Sequence, residues 1–193
     1  EVSKKCIRND KSFTPCLILA GSFLGRISTT NGIISSASNG TIVESYWKNA
    51  NSSKVIYRYA RGTQVRSVAR FVLGIFYRMV PDSFWLNLFF GVRGDINKSI
   101  RYCDAALRID PLEQQFYADV GAAHLCKWAR EEDSSALAKG KQILKKCLKM
   151  PYVGKVGKMT RGDCKKLLKE PELGCGYSRD KQQETDAKKF KTK

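Results

Sequence analysis

The chain holds a single histidine, His124, two residues before Cys126. An imidazole and a thiol at that spacing would supply two ligands to a metal, or a base and a nucleophile for covalent catalysis. Both uses need further partners, and no second His/Cys cluster exists. The sequence has no CxxC pair, GxSxG elbow, HExxH helix, P-loop or GxGxxG turn. Glycoside hydrolysis needs two facing carboxylates. Glu44, in "NGTIVESYW", stands alone in a basic, serine-rich region, and Glu131, Glu132 and Asp133 form a run that reads as solvated. These residues predict no enzyme, no metal site and no cofactor.

Binding chemistry is better represented. The stretch "YRYARGTQVRSVAR" (57–70) carries Arg58, Arg61, Arg66 and Arg70, with Tyr57 and Tyr59 between them. Arginine forks match carboxylates and phosphates, and tyrosine rings stack on planar groups. Arg66 and Arg70 are four residues apart and share a helix face. Together these six residues form a candidate ligand site; the plainer reading is a solvated face, or arginines paired with the acidic centre of the chain. The aromatic stretch "PDSFWLNLFFGVR" (81–93) adds Phe84 and Trp85, which either cover the core or line an apolar pocket. The C-terminal lysines, Lys145, Lys146, Lys149, Lys165, Lys166 and Lys169, are scattered and weakly diagnostic. Nothing predicts sequence-specific readout of nucleic acid.

These residues must be positioned by a chain of 193 residues, a length that fits one domain with a tail. Its hydrophobic fraction of 42% is enough for a core and excludes wholesale disorder. The net charge is +17, and it is uneven. Residues 1–81 hold 12 basic and 3 acidic residues, residues 82–139 hold 7 and 9, and residues 140–193 hold 16 and 6. A net charge this high predicts an acidic partner, an anionic surface or strong solubility alone, and the two ends carry the excess. The chain begins at Glu1, as a mature exported protein or a trimmed one would. Export to a periplasmic or envelope compartment would allow disulfides. Of seven cysteines, Cys6–Cys16 and Cys164–Cys175 are the candidate bridges, because they lie in irregular flanks. Cys103, Cys126 and Cys147 fall inside helical patterns and read as buried small hydrophobes.

No transmembrane span is predicted. The apolar run 71–92 has Arg78, Pro81 and Asp82 at its centre, where hydrocarbon would penalise each. It reads as two amphipathic or buried helices joined at Pro81; the alternative is an interfacial segment. Upstream, Thr14 and Pro15 suggest a helix start, 28–40 is loop or small-residue helix, and 41–50 a short helix. Val65, Val68, Val72, Ile75, Phe76 and Met79 recur at helical spacing. Asp95 is a good N-cap for a helix that Pro111 ends. Helices follow at 112–129 and 134–149, and Thr160 with Asp163 has capping-box spacing. Alternating hydrophobicity is nearly absent, so the class is all-α. The expected division is an N-terminal extension (1–60), a helical domain (61–170) and a basic tail (171–193), loosely held from residue 176.

Two stretches repeat. Leu73-Gly74-x-x-Tyr77 is echoed by Val120-Gly121-x-x-His124, and Ala106-Leu107-Arg108-Ile109-Asp110-Pro111 by Cys147-Leu148-Lys149-Met150-Pro151. The small residues Gly74, Ala106, Gly121 and Cys147 would let paired helices approach closely. "GDINKSIRYCDAALRIDP" (94–111) resembles the second helix of a tetratricopeptide repeat, with Ser99 and Cys103 where that family usually has Ala and an aromatic. Over roughly 65–170 the chain is similar to a divergent branch that includes regulator-of-microtubule-dynamics-like proteins and bacterial relatives. The resemblance implies helical hairpins, an α-solenoid fragment, and makes His124 a packing residue. It implies a scaffold that binds a protein or peptide; an electrostatic binder of an anionic polymer or envelope surface is the alternative.

Overall fold

The computed structural model describes residues 2–10, 13–31, 33–60, 62–152 and 154–178. Over these residues the chain is all-α. The helices are α1 (Val2–Asn9), α2 (Thr14–Thr30), α3 (Ile33–Ser52), α4 (Val65–Met79), α5 (Phe84–Phe90), α6 (Ile96–Ile109), α7 (Gln114–Glu131), α8 (Ser134–Lys149) and α9 (Gly154–Lys169), followed by a 3₁₀ turn at Pro171–Gly174. The only strand-like feature among the described residues is an isolated bridge between Arg58 and Gln64.

Side-chain caps open α5, α6, α7 and α8. Asp95 caps α6 by accepting from the Lys98 amide at 2.8 Å, and Asp133 caps α8 by accepting from the Ser135 and Ala136 amides. Asp133 is therefore not simply a member of a solvated acidic run. The small-residue stretch 28–40 is helical apart from a break near Asn31, and the helix anticipated at 41–50 is the second half of α3. The Thr160–Asp163 pair opens no helix. Thr160 lies buried in the middle of α9, where its hydroxyl donates to the Val156 carbonyl at 3.0 Å. A Thr satisfied from within its own helix has no need of a terminus.

Successive helices pack on one another: α2 on α3, α3 on α4, α4 on α6, α6 on α7, α7 on α8 and α8 on α9. Two cores result. One joins Leu17 and Ile18 of α2, Val43 and Trp47 of α3, and Val65, Ala69, Leu73 and Tyr77 of α4. It runs across the sequence boundary expected at residue 60, so α2 and α3 are integral to the helical array. The other gathers Cys103 and Ala106 of α6, Phe116, Val120 and Leu125 of α7, Leu144 of α8 and Leu167 of α9. Helix α7 is buried continuously from Phe116 to Cys126, polar Asp119 and His124 included, as suits a helix covered on several sides.

The four small residues of the repeat are all buried, and two of them set how closely helices meet. A Cβ on Gly74 would lie 2.4 Å from Cys103 Sγ. The Ser99 hydroxyl exploits the same close approach and donates to the Gly74 carbonyl at 2.7 Å. A Cβ on Gly121 would lie 2.6 Å from Leu144 of α8. The partner of Gly121 is thus Leu144, one turn before Cys147, and Cys147 turns instead to α9.

The cysteines correct the expected pairing. Cys6 is bonded to Cys16, Cys126 to Cys175, and Cys147 to Cys164, while Cys103 stays a buried thiol. Cys164–Cys175 does not form. Cys164 faces α8 from inside the α8–α9 pair, and the 3₁₀ turn carries Cys175 back onto α7. Cys126 and Cys147 are buried, as expected of small hydrophobes, but each is cross-linked.

The same fold-back holds residues 176–178, where the sequence predicts a loosely held tail. Arg78, fully buried, donates to the carbonyls of Gly174 at 2.8 Å, Cys175 at 3.3 Å and Tyr177 at 2.8 Å, and pairs with Asp119 at 2.8 Å. Tyr177 donates to Asp163 at 2.9 Å. Residues 179–193 lie outside the described residues.

Candidate functional site

Most of the candidate ligand residues serve the fold. Helix α3 ends at Ser52, and two arginines of α4 bind that end. Arg66 donates to the Ser53 carbonyl, and Arg70 Nε donates to Asn51 Oδ1 at 2.8 Å. Burial first, then the neighbouring Arg66 and Arg108, lower the pKa of Arg70 from the usual guanidinium value. Arg58 donates to the Gly62 carbonyl at 2.8 Å, closing the loop before α4. Tyr57 and Tyr59 are half-buried against the α2–α4 core, and Phe13 meets Tyr57 edge-on. Burial raises the Tyr59 pKa. Arg61 lies outside the described residues. Arg58, Arg66 and Arg70 thus direct donors at the end of α3 and at their own loop.

The residues weighed for catalysis are engaged too. Glu44 accepts from the Tyr77 hydroxyl and pairs with Lys48 at 2.6 Å. Burial and, after it, the Glu44 carboxylate hold the Tyr77 hydroxyl protonated well above the ordinary tyrosine range. Cys126 is spent in its disulfide and offers no thiolate beside His124. Among the described residues, no three His, Cys, Asp or Glu side chains gather as a metal would require. The His124 ring is nearly buried and its Nε2 lies 3.3 Å from Asp104 Oδ1.

That His–Asp contact sits on the floor of a furrow the sequence did not reveal. Helices α6 and α8 form its walls and α7 its floor. Two adjoining hollows, of about 480 and 660 Å³, share Lys139. The first holds Asn97, Arg101, His124, Lys127 and Ser135; the second holds Asp104, Leu107, Arg108, Tyr117, Ile143, Lys145, Lys146 and Lys149. Arg101 and Arg108 on one wall, and Lys139, Lys145, Lys146 and Lys149 on the other, are exposed. Ile100, Leu107 and Ile143 supply an apolar base between them. Lys146 lies over the Tyr117 ring, 5.5 Å from its centre. On its rim Lys127 is held by Asn97 at 3.1 Å and by Asp133 at 3.5 Å.

The lysines are hard to read in sequence because exposed lysine is ordinary on any helix. The usable signal was spacing: Lys139, Gln142, Lys145, Lys146 and Lys149 recur at three- and four-residue steps, which puts them along one face of α8.

Phe84 and Trp85 do not cover the core, nor do they belong to the furrow. With Leu88 and Phe89 they stand exposed on α5. Among the described residues, no helix is long and apolar enough to cross a membrane. Comparison with family models, with curated proteins and with solved structures finds no match to this chain.

Proposed function

We propose that this chain is a non-enzymatic helical scaffold whose α6–α8 furrow holds an acidic peptide segment of a partner protein. One observation carries the reading: a furrow with exposed basic residues on both walls, and with Ile100, Leu107 and Ile143 among its lining, runs along two facing helices. Walls of arginine and lysine attract carboxylates, and the Ile100, Leu107 and Ile143 base favours apolar side chains between those carboxylates. A bare polyphosphate or nucleic-acid backbone would use the rim alone. The resemblance to tetratricopeptide hairpins supports the same reading, since stacked hairpins leave a curved surface free. Three disulfides favour an oxidising compartment, which fits export.

The test is fluorescence anisotropy with three labelled peptides of equal length: acidic–apolar, basic–apolar and neutral. The acidic–apolar peptide is expected to bind best, and Lys145→Glu with Lys149→Glu to weaken it at least about tenfold. Equal binding of all three peptides, or indifference to the charge reversals, refutes the furrow. The rival is an electrostatic binder of an anionic polymer. It predicts tighter binding of long polyphosphate than of peptide, with affinity collapsing as salt rises.

A further inference from the structure

Helix α5 is an excursion from the helical array. The segment leaves α4 at Val80 and rejoins at α6 with its two ends pinned together. The Gly94 amide donates to the Pro81 carbonyl at 3.0 Å and the Asp95 amide to the Tyr77 carbonyl at 3.0 Å. The α4–α6 hairpin therefore closes without α5. The excursion is held firmly nonetheless. Val92 is 2% exposed and plugs against α3 at Gly40, where even a Cβ would collide with it. Asp82 and Arg93 pair at 2.5 Å across its base.

What it presents is an uncharged aromatic plate. Phe84, Trp85, Leu88 and Phe89 are 64%, 64%, 58% and 69% exposed. Trp85 stacks on Phe89 with ring centres 5.9 Å apart, and Phe84 meets Trp85 edge-on at 5.7 Å. No charged residue occurs from Ser83 to Val92. Leaving four large apolar side chains in water on a braced helix costs stability and marks an interaction surface.

We propose that α5 docks the protein on an anionic lipid bilayer surface, with the plate entering the interface and the chain's positive charge drawing it there. Trp and Phe favour the headgroup–acyl boundary. A helix of seven residues, about 10 Å long, suits shallow insertion and not spanning. A small apolar element holds only weakly alone, and a net charge of +17 provides the second attraction. That same charge opposes a second copy of the chain as the cover, because two such molecules repel. The inference is independent of the furrow.

The experiment is flotation of the intact, disulfide-bonded chain with vesicles of phosphatidylcholine alone and with about one third phosphatidylglycerol. The protein is expected to float with the anionic vesicles, and brominated lipid to quench Trp85. Leu88→Asp with Phe89→Asp is expected to reduce binding at least about tenfold and to keep the helical circular dichroism. The charge-matched control, Leu112→Asp with Val156→Asp at exposed positions away from α5, is expected to bind nearly as the parent. Failure of the parent to float overturns the proposal. So does equal loss in both variants, which would make binding electrostatic alone. Sedimentation of the parent as a dimer that the α5 variant turns monomeric would assign the plate to self-association instead.

Discussion

Arg78 and Asp119 face each other at 2.8 Å with 0% and 4% of their side chains exposed. The pair joins α4 to α7, and Nη1 of Arg78 holds the fold-back at Gly174, Cys175 and Tyr177. Removing one partner of such a pair strands the other in a poorly solvating interior. Asp119→Leu or Arg78→Met is expected to cost about 3–5 kcal/mol, and the two together less than the sum of the separate changes. Chemical denaturation of the three variants measures this. Arg78→Met should also expose the 171–178 fold-back to protease, whereas a purely additive pair would rule out the coupling.

Gly121 and Gly162 provide a matched contrast. Both are helical, but a Cβ on Gly121 would stand 2.6 Å from Leu144, while one on Gly162 meets nothing within 4 Å. Alanine is the better helix former by about 1 kcal/mol. Gly162→Ala in α9 is expected to stabilise by about 0.5–1 kcal/mol. Gly121→Ala is expected to destabilise by about 1–3 kcal/mol, because buried Leu144 must shift in a packed core. Melting temperatures moving in the same direction would show that α7 and α8 have slack at this crossing.

The cysteines make the last prediction. Six are bonded, and Cys103 is wholly buried against Gly74. Burial, reinforced by the nearby Asp119 charge, pushes its thiol pKa up to about 12. The reactive thiolate is thus scarce near neutral pH, and the sulfur is shielded besides. A thiol reagent at pH 8 should label no cysteine in the folded protein and one after unreduced denaturation. Peptide mapping should join Cys126 to Cys175 and Cys147 to Cys164. Recovery of a Cys164–Cys175 peptide would contradict the fold-back onto α7.

Which features were legible in the chain follows from the range of the forces that decide them. The helical class, the Asp95 cap and the burial of Gly74, Ala106, Gly121 and Cys147 were all readable, since periodicity, capping and small size act within a turn or two of helix. The arginines at 66 and 70 were equally visible as a pair. Their use was not, because the groups they bind, at Ser53 and Asn51, arrive from the end of another helix.

The sequence by itself determined an all-α chain with small residues at its helix crossings. Tertiary structure alone decided that Cys175 meets Cys126, that Arg78 meets Asp119, and that α6 and α8 line up their positive charges across a furrow. Those partners lie 49 and 41 residues apart along the chain. At such separations a residue's type says what it can pair with, but only the packing of whole helices brings one partner, among several, within reach.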